Sequence, residues 1–161
     1  MKNAQIHTIK PFFNKDSQIL ILGSFPSVKS REQNFYYAHP QNRFWRVLSA
    51  VFSQNLPNSV EEKKLFLTRH KIALFDSIQS CEIAGSSDAS IQKVAPNDIK
   101  SLIKQTNITR IYTNGKKSAK IYDKFIFPQT SIKAISLPST SPANATISLE
   151  KLIKAYEILL N

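Results

Sequence analysis

The residues of this 161-residue chain that could do chemistry gather in three polar loops, at 23–42, 77–90 and 138–144. The first carries Phe25, Tyr36, Tyr37, His39 and Asn42, a set able to sandwich a flat ring and hydrogen-bond its edge. The last sets Ser139, Thr140 and Ser141 at a turn before a helix, where hydroxyls can contact a phosphate. Around the second loop stand Asp76, Glu82 and Asp88, but nothing in their spacing singles out a catalytic carboxylate pair. Other chemistries can be set aside. One cysteine, Cys81, and three scattered histidines, His7, His39 and His70, give no metal-ligand spacing, so no metal is expected. Three glycines supply neither a Walker loop nor a dinucleotide fingerprint, and there is no Gly-x-Ser-x-Gly elbow. What remains is a site of carboxamides, hydroxyls, aromatic rings and backbone amides, with no cofactor.

Each of these residues also has a plainer role open to it. Phe44 and Trp45 fit the buried stripe of a helix. Tyr36 and Tyr37 are neighbours, so one is expected to point inward and the other toward solvent or the site. His39 before Pro40 could fix a turn, and the Ser-Thr-Ser run could be an ordinary helix-capping loop.

The loops need a frame to hold them. The apolar run Ile19-Leu20-Ile21-Leu22 reads as a buried parallel strand. Further strands are expected at 72–76, 108–113 and 131–137, the one at 108–113 rich in β-branched residues. Between them, Phe44, Val47, Leu48, Val51 and Phe52 recur at helical spacing. A second helix is capped by Asn58 or Ser59, carries Glu61 and Glu62 in its first turn, and ends at Arg69, His70 and Lys71. Asn97 is placed to cap a third helix, Gly115 opens a fourth, and Ser148 caps the last. Residues 1–17 read as a lead-in broken by Pro11 and 14–16, and 77–95 as a polar connection. Alternating strands and helices imply one three-layer α/β/α sandwich over 1–161, with a mostly parallel sheet of about four strands. In such a sheet the three loops converge beyond the carboxyl ends of the strands, where ligands bind.

Composition narrows the partner. Twenty-two Lys and Arg against eleven Asp and Glu give a net charge of +11, which favours an anionic partner, nucleic acid first. The lysines are spread along the chain rather than gathered into a basic arm. No apolar run approaches the roughly 20 residues of a membrane span, and the first residues do not read as a signal peptide. A single cysteine suits a reducing cytoplasm.

Two blocks carry a resemblance. Gly23-Ser24-Phe25-Pro26-Ser27 follows the first strand, and 37–45 reads Tyr-Ala-His-Pro-Gln-Asn-Arg-Phe-Trp. Together they resemble the uracil-DNA glycosylase superfamily, nearest in pattern to its mismatch-specific branch. Segments 73–76, 86–91, 113–117 and 137–142 resemble its later motifs in the right order, so the likeness covers about 17–160. Two departures mark the subfamily. Phe25 stands where the first motif usually has Asn or Asp, and Leu137 where the last usually begins with His or Asn. That pattern resembles the hypoxanthine-DNA (deoxyinosine) glycosylases.

The resemblance implies a uracil-DNA glycosylase-like fold and a monofunctional glycosylase that starts base-excision repair by releasing a deaminated base, chiefly hypoxanthine. It implies Asn42 as the catalytic residue, accepting a hydrogen bond from the attacking water through its carbonyl oxygen, although Asn42 also suits a helix N-cap. Ser24, Phe25, Tyr37 and His39 would form the base pocket, with Tyr37 stacking on the flipped base. Ser139, Thr140, Ser141, Asn144 and Lys116 would meet DNA. The expected partner is double-stranded DNA with a damaged base, with single strands a second candidate, and the protein is expected to be a cytoplasmic monomer that does not engage membranes. A uracil or G/U-mismatch glycosylase is the rival that Phe25 and Leu137 argue against. A non-catalytic DNA-binding module of the same fold is the rival they permit.

Overall fold

A computed structural model describes residues 3–161. The described residues begin with β1 (Asn3–Ile6) and lead to β2 (Ile19–Gly23), whose residues are all buried. Helices α1 (Val28–Gln33), α2 (Phe44–Val51) and α3 (Val60–Arg69) lead to β3 (Ile72–Asp76). Next come β4 (Ile78–Ile83), β5 (Gln92–Pro96), α4 (Ile99–Lys104) and β6 (Arg110–Asn114). Then α5 (Lys116–Ile121) runs through a π-turn into α6 (Phe127–Thr130), and β7 (Ala134–Leu137) and α7 (Leu149–Tyr156) complete the chain.

The central sheet has the order β3-β2-β6-β7, and every pairing in it is parallel. Successive side chains of β2 go to opposite faces, as a strand dictates. Ile19 and Ile21 pack with α2, α3 and α7 through Leu48, Leu67 and Leu152. Leu20 and Leu22 pack with α4 and the π-turn through Ile99, Leu102 and Tyr122. The expected three layers and four parallel strands are therefore present. The order in which strands are added reverses between β2 and β6, the switch point at which open α/β sheets leave a crevice.

Side-chain caps set several helix starts. Ser59 accepts from Glu62 N and Ser148 from Lys151 N, each worth about 1 kcal/mol. The third helix corrects the expectation: Asp98, not Asn97, caps it, while the Asn97 amide donates to the carbonyls of Asp76 and Ile78. The lead-in and the polar connection are also corrected. Strand β1 pairs antiparallel with β4, and β4 with β5, forming a second three-stranded sheet. Phe12 adds a bridge to Leu74. The sheet covers a third apolar cluster that includes Phe25, Ile78, Cys81 and Ile121. Among the described residues no helix is long and apolar enough to cross a membrane.

Candidate active site

Gly23, Asp76 and Asn114 end β2, β3 and β6, and the loops beyond them meet around a crevice of about 1050 Å³. All the residues singled out by sequence line it: Asn42; Ser24, Phe25, Tyr37 and His39; Lys116, Ser139, Thr140, Ser141 and Asn144. Their local bonding separates groups free to meet a ligand from groups already committed.

Asn42 lies at the centre of a relay across three loops. Its Oδ1 accepts from Phe44 N (3.0 Å) and from the Thr140 hydroxyl (2.8 Å). Thr140 Oγ1 in turn accepts from the Asn114 amide (3.0 Å), and Asn114 Oδ1 accepts from Thr140 N (3.0 Å). Because both partners of Oδ1 are donors, the amide orientation is fixed by the network. The carbonyl oxygen has both lone pairs in use, which corrects the expectation that it accepts from water. The Asn42 Nδ2 group makes no hydrogen bond to a described residue, so Asn42 meets the crevice as a donor. It also fulfils the capping role, through Phe44 N. Thr140 is fully buried and both donates and accepts within this relay. The phosphate contact expected of it is corrected to a bracing role.

The other loop residues divide similarly. Ser139 Oγ accepts from Ser141 N and Ser141 Oγ from Ala143 N, both at 3.1 Å, which leaves both hydroxyl protons available to an anion. The Asn144 amide donates to Ser139 O at 3.0 Å. Arg43 holds this loop from below, donating to Ile147 O (2.7 Å) and Asn144 O (3.1 Å). Sequence reading assigned Arg43 nothing. Lys116 is exposed at the start of α5, following Gly115 at φ +98°. Only glycine adopts that angle freely, and a Cβ there would lie 3.2 Å from Ser139 Cβ.

The base-binding candidates form the opposite wall. Tyr37 sits in the left-handed region (φ 54°) and stacks on Phe44 with 3.8 Å between ring centroids. A non-glycine residue there costs about 1–3 kcal/mol, a strain typical of functional sites. Its neighbour Tyr36 points inward and donates to Lys10 O at 2.8 Å, so the expected division of the two tyrosines holds. Phe44 and Trp45 are core, as their spacing suggests. Phe25 is buried against the third cluster while presenting an apolar side to the crevice. His39 is half-buried and its Nδ1 accepts from Gln41 N at 3.1 Å, so it does fix its turn.

Two carboxylates also line the crevice, Asp88 on the exposed 85–89 loop and Asp76 buried at the end of β3. Ser24 Oγ donates to Asp88 Oδ1 at 2.6 Å. Burial pushes the Asp88 carboxyl up, and the Ser24 hydrogen bond partly opposes that. Asp76 Oδ2 accepts from His7 Nε2 at 2.7 Å, with both side chains almost wholly enclosed. Burial first, and then the Asp76 carboxylate, push the Tyr37 phenol well up. Glu82, the third acidic candidate, faces Lys93 on the small sheet at 3.2 Å. Sequence spacing did not separate these three. The available signal was position, since Asp76 ends a buried parallel strand. Among the described residues, no cluster of three or more His, Cys, Asp or Glu side chains is placed to hold a metal ion.

Known proteins resemble this chain in sequence and fold. The family model of the uracil DNA glycosylase superfamily matches residues 10–160. A hypoxanthine DNA glycosylase from Methanosarcina acetivorans is 33% identical over 137 residues, covering 84% of this chain and 85% of that protein. Another so named, from Methanosarcina barkeri, is 34% identical over 113 residues, 68% of this chain and 71% of that protein. The solution NMR structure of a candidate uracil DNA glycosylase from M. acetivorans superposes with a TM-score of 0.80 at 27% identity, covering 96% of this chain and 98% of that one.

Proposed function

The chain belongs to the uracil DNA glycosylase superfamily, and from that premise we propose that it is a monofunctional DNA glycosylase releasing hypoxanthine from deoxyinosine. The observation that carries the choice of base is the pair Phe25 and Leu137, apolar groups lining the crevice where the superfamily's usual polar residues would stand. The hypoxanthine DNA glycosylases at 33% and 34% identity support the same choice. The reading takes 1–161 as one glycosylase domain, acting as a cytoplasmic monomer on damaged double-stranded DNA.

The chemistry asks for little beyond placement. The C1′–N9 bond breaks with its electron pair leaving on the base, and a water oxygen bonds to C1′ as a proton is lost to base or solvent. The transition state carries oxocarbenium character on the sugar, so a neutral water held in place can capture it. Asn42 is the group proposed to hold that water, donating from Nδ2 while Thr140 and Phe44 N fix its carbonyl oxygen. The polarity of the relay is uniform from Asn114 through Thr140 to Asn42, and each bond strengthens the next. The flipped base enters beside Tyr37, whose other ring face is already covered by Phe44. Phe25 gives the ring an apolar wall. Ser139, Ser141 and Lys116 at the rim meet the flanking phosphates, with Asn144 bracing their loop.

Matched duplexes containing deoxyinosine, uracil or neither, followed by alkaline cleavage, test this reading. Strand breaks at deoxyinosine in clear preference to uracil are expected. Breaks chiefly at uracil would transfer the reading to a uracil glycosylase. Binding with no breaks at either would favour a non-catalytic module.

A further inference from the structure

We propose that Asp88 and Ser24 form a proton relay to N7 of the departing purine, with Ser24 touching the base and Asp88 supplying the proton through it. The inference rests on the glycosylase reading and goes beyond it to the group that neutralises the leaving base.

The relay of Asn114, Thr140 and Asn42 serves the attacking water and takes up none of the charge that gathers on the base. Ser24 and Asp88 line the same crevice. The Ser24 hydroxyl donates to Asp88 Oδ1 at 2.6 Å, the short bond of a hydroxyl on a carboxylate, and Oγ makes no other hydrogen bond to a described residue. Ser24 is only 7% exposed, beside Phe25 at the end of β2, whereas Asp88 stands on the exposed 85–89 loop. The pair therefore leads from solvent into the crevice. Its hydrogen bond is not what holds the loop. Ser86 Oγ accepts from Val28 N (3.0 Å), Arg31 donates to Gly85 O (3.1 Å), and Ser90 Oγ accepts from Ala84 N (2.8 Å). These three bonds anchor the loop on both sides of Asp88.

The charged and titratable groups around the carboxyl are Asp76, which leans over Gly23 at the crevice floor, Lys117 on α5, the Tyr37 phenol, and Arg31 of α1 behind the loop. Enclosure raises the Asp88 carboxyl above its ordinary 3.8 and the Ser24 bond opposes this, while Asp76 raises it and Lys117 lowers it. The balance is upward, which suits a group that must hold a proton before giving it away. With Asp88 protonated, the 2.6 Å bond reverses. Asp88 then donates to Ser24 Oγ, and the Ser24 proton turns to the base. As C1′–N9 breaks, that proton bonds to N7, the Asp88 proton replaces it on Ser24, and the electron pair of the broken bond leaves with the base. Hypoxanthine departs neutral. Asp88 is left as a carboxylate, and solvent returns to it the equivalent of the proton lost by the attacking water. Uracil has no imidazole nitrogen to receive the proton, so the relay accelerates purines alone.

Single-turnover release across acidic to neutral pH tests the inference, on duplexes carrying deoxyinosine or 7-deazadeoxyinosine. The analogue keeps the glycosidic bond and replaces N7 by C–H. The parent's deoxyinosine rate should fall about tenfold per pH unit above the pKa of the acid, and its rate on the analogue should not follow. Asp88→Asn keeps an acceptor for Ser24 but has no proton to give. It should lose about a hundredfold or more on deoxyinosine at acidic pH, flatten the profile, and leave the analogue's rate within a few-fold. Ser24→Ala should match it, and the double variant should be no slower than either, as expected of residues acting as one unit. A variant that slows both substrates by the same factor and keeps the parent's pH profile would show a merely structural role and overturn the proposal. So would a parent whose deoxyinosine rate is flat over that range, a result that needs no variant to fold. In either case release of hypoxanthine by the parent would leave the glycosylase reading standing. A parent inactive on deoxyinosine would overturn that reading and this inference with it.

Discussion

Thr140 makes its hydrogen bonds before any substrate arrives: its hydroxyl donates to Asn42 and accepts from Asn114 in a fully buried position. Thr140→Val keeps the shape and deletes both bonds, leaving Asn114 Nδ2 unmatched. A stability loss of about 1–3 kcal/mol is expected in denaturant unfolding. The excision rate should fall as well, because Asn42 loses a donor that fixes it, while Thr140→Ser should recover most of both. A second prediction concerns Gly23. The carboxylate it accommodates is tied to His7 and cannot swing away cheaply, so Gly23→Ala displaces Asp76 Oδ1. Single-turnover excision of deoxyinosine should drop by roughly tenfold or more, the cost of a misplaced group at a reacting site, with duplex affinity little changed. A rate within twofold of the parent would mean that the floor tolerates such a shift. At this scale the sequence disclosed which residues meet but not which atoms are free. Asn42, Tyr37 and Ser139 were legible from loop chemistry. The commitment of Asn42 Oδ1 and the burial of Thr140 depend on contacts 98 residues apart in the chain.

Among the elements, β2 and β3 were legible because both of their faces are buried, so each reads as an apolar run, and β6 was legible through its β-branched residues. Strands β1, β4 and β5 were not. Strand β1 is four residues long and mostly exposed, and its partner β4 begins more than seventy residues later. Strand β4 carries register shifts in its pairing with β5, which blur the alternation that would mark it. Helix α3 shows legible caps at both ends, and its last turn makes a pH prediction. His70 follows that turn, stacked on Phe52 at 4.2 Å, with Nε2 buried and unpartnered among the described residues. Burial, and then Arg69, lower its pKa from the ordinary value of 6.5. The folded protein therefore binds this proton less tightly than the unfolded chain. Stability should be complete above pH 6.5 and decline as pH falls through the lower folded value. Denaturant unfolding across that window should show the decline in the parent and a smaller one in His70→Gln.

For the molecule as a whole, the +11 charge predicts a strong dependence of duplex affinity on salt. A log–log plot of affinity against salt should have a negative slope of about 0.9 per neutralised phosphate. Lys116→Ala should reduce that slope by about one unit and weaken undamaged and deoxyinosine duplexes alike, because a phosphate contact carries no base information. An unchanged slope would remove Lys116 from the interface. The fold brings these rim charges, the Asn42 relay and the Asp76 floor to the single crevice at the sheet's switch point. The most direct test of that crevice as the catalytic site is single-turnover release of hypoxanthine by Asn42→Ala, with duplex affinity measured alongside. A loss of about a hundredfold or more in release is predicted, the consequence of leaving the attacking water unplaced, with affinity held within a few-fold. Release at the parent's rate from a properly folded variant would contradict it and place the chemistry elsewhere.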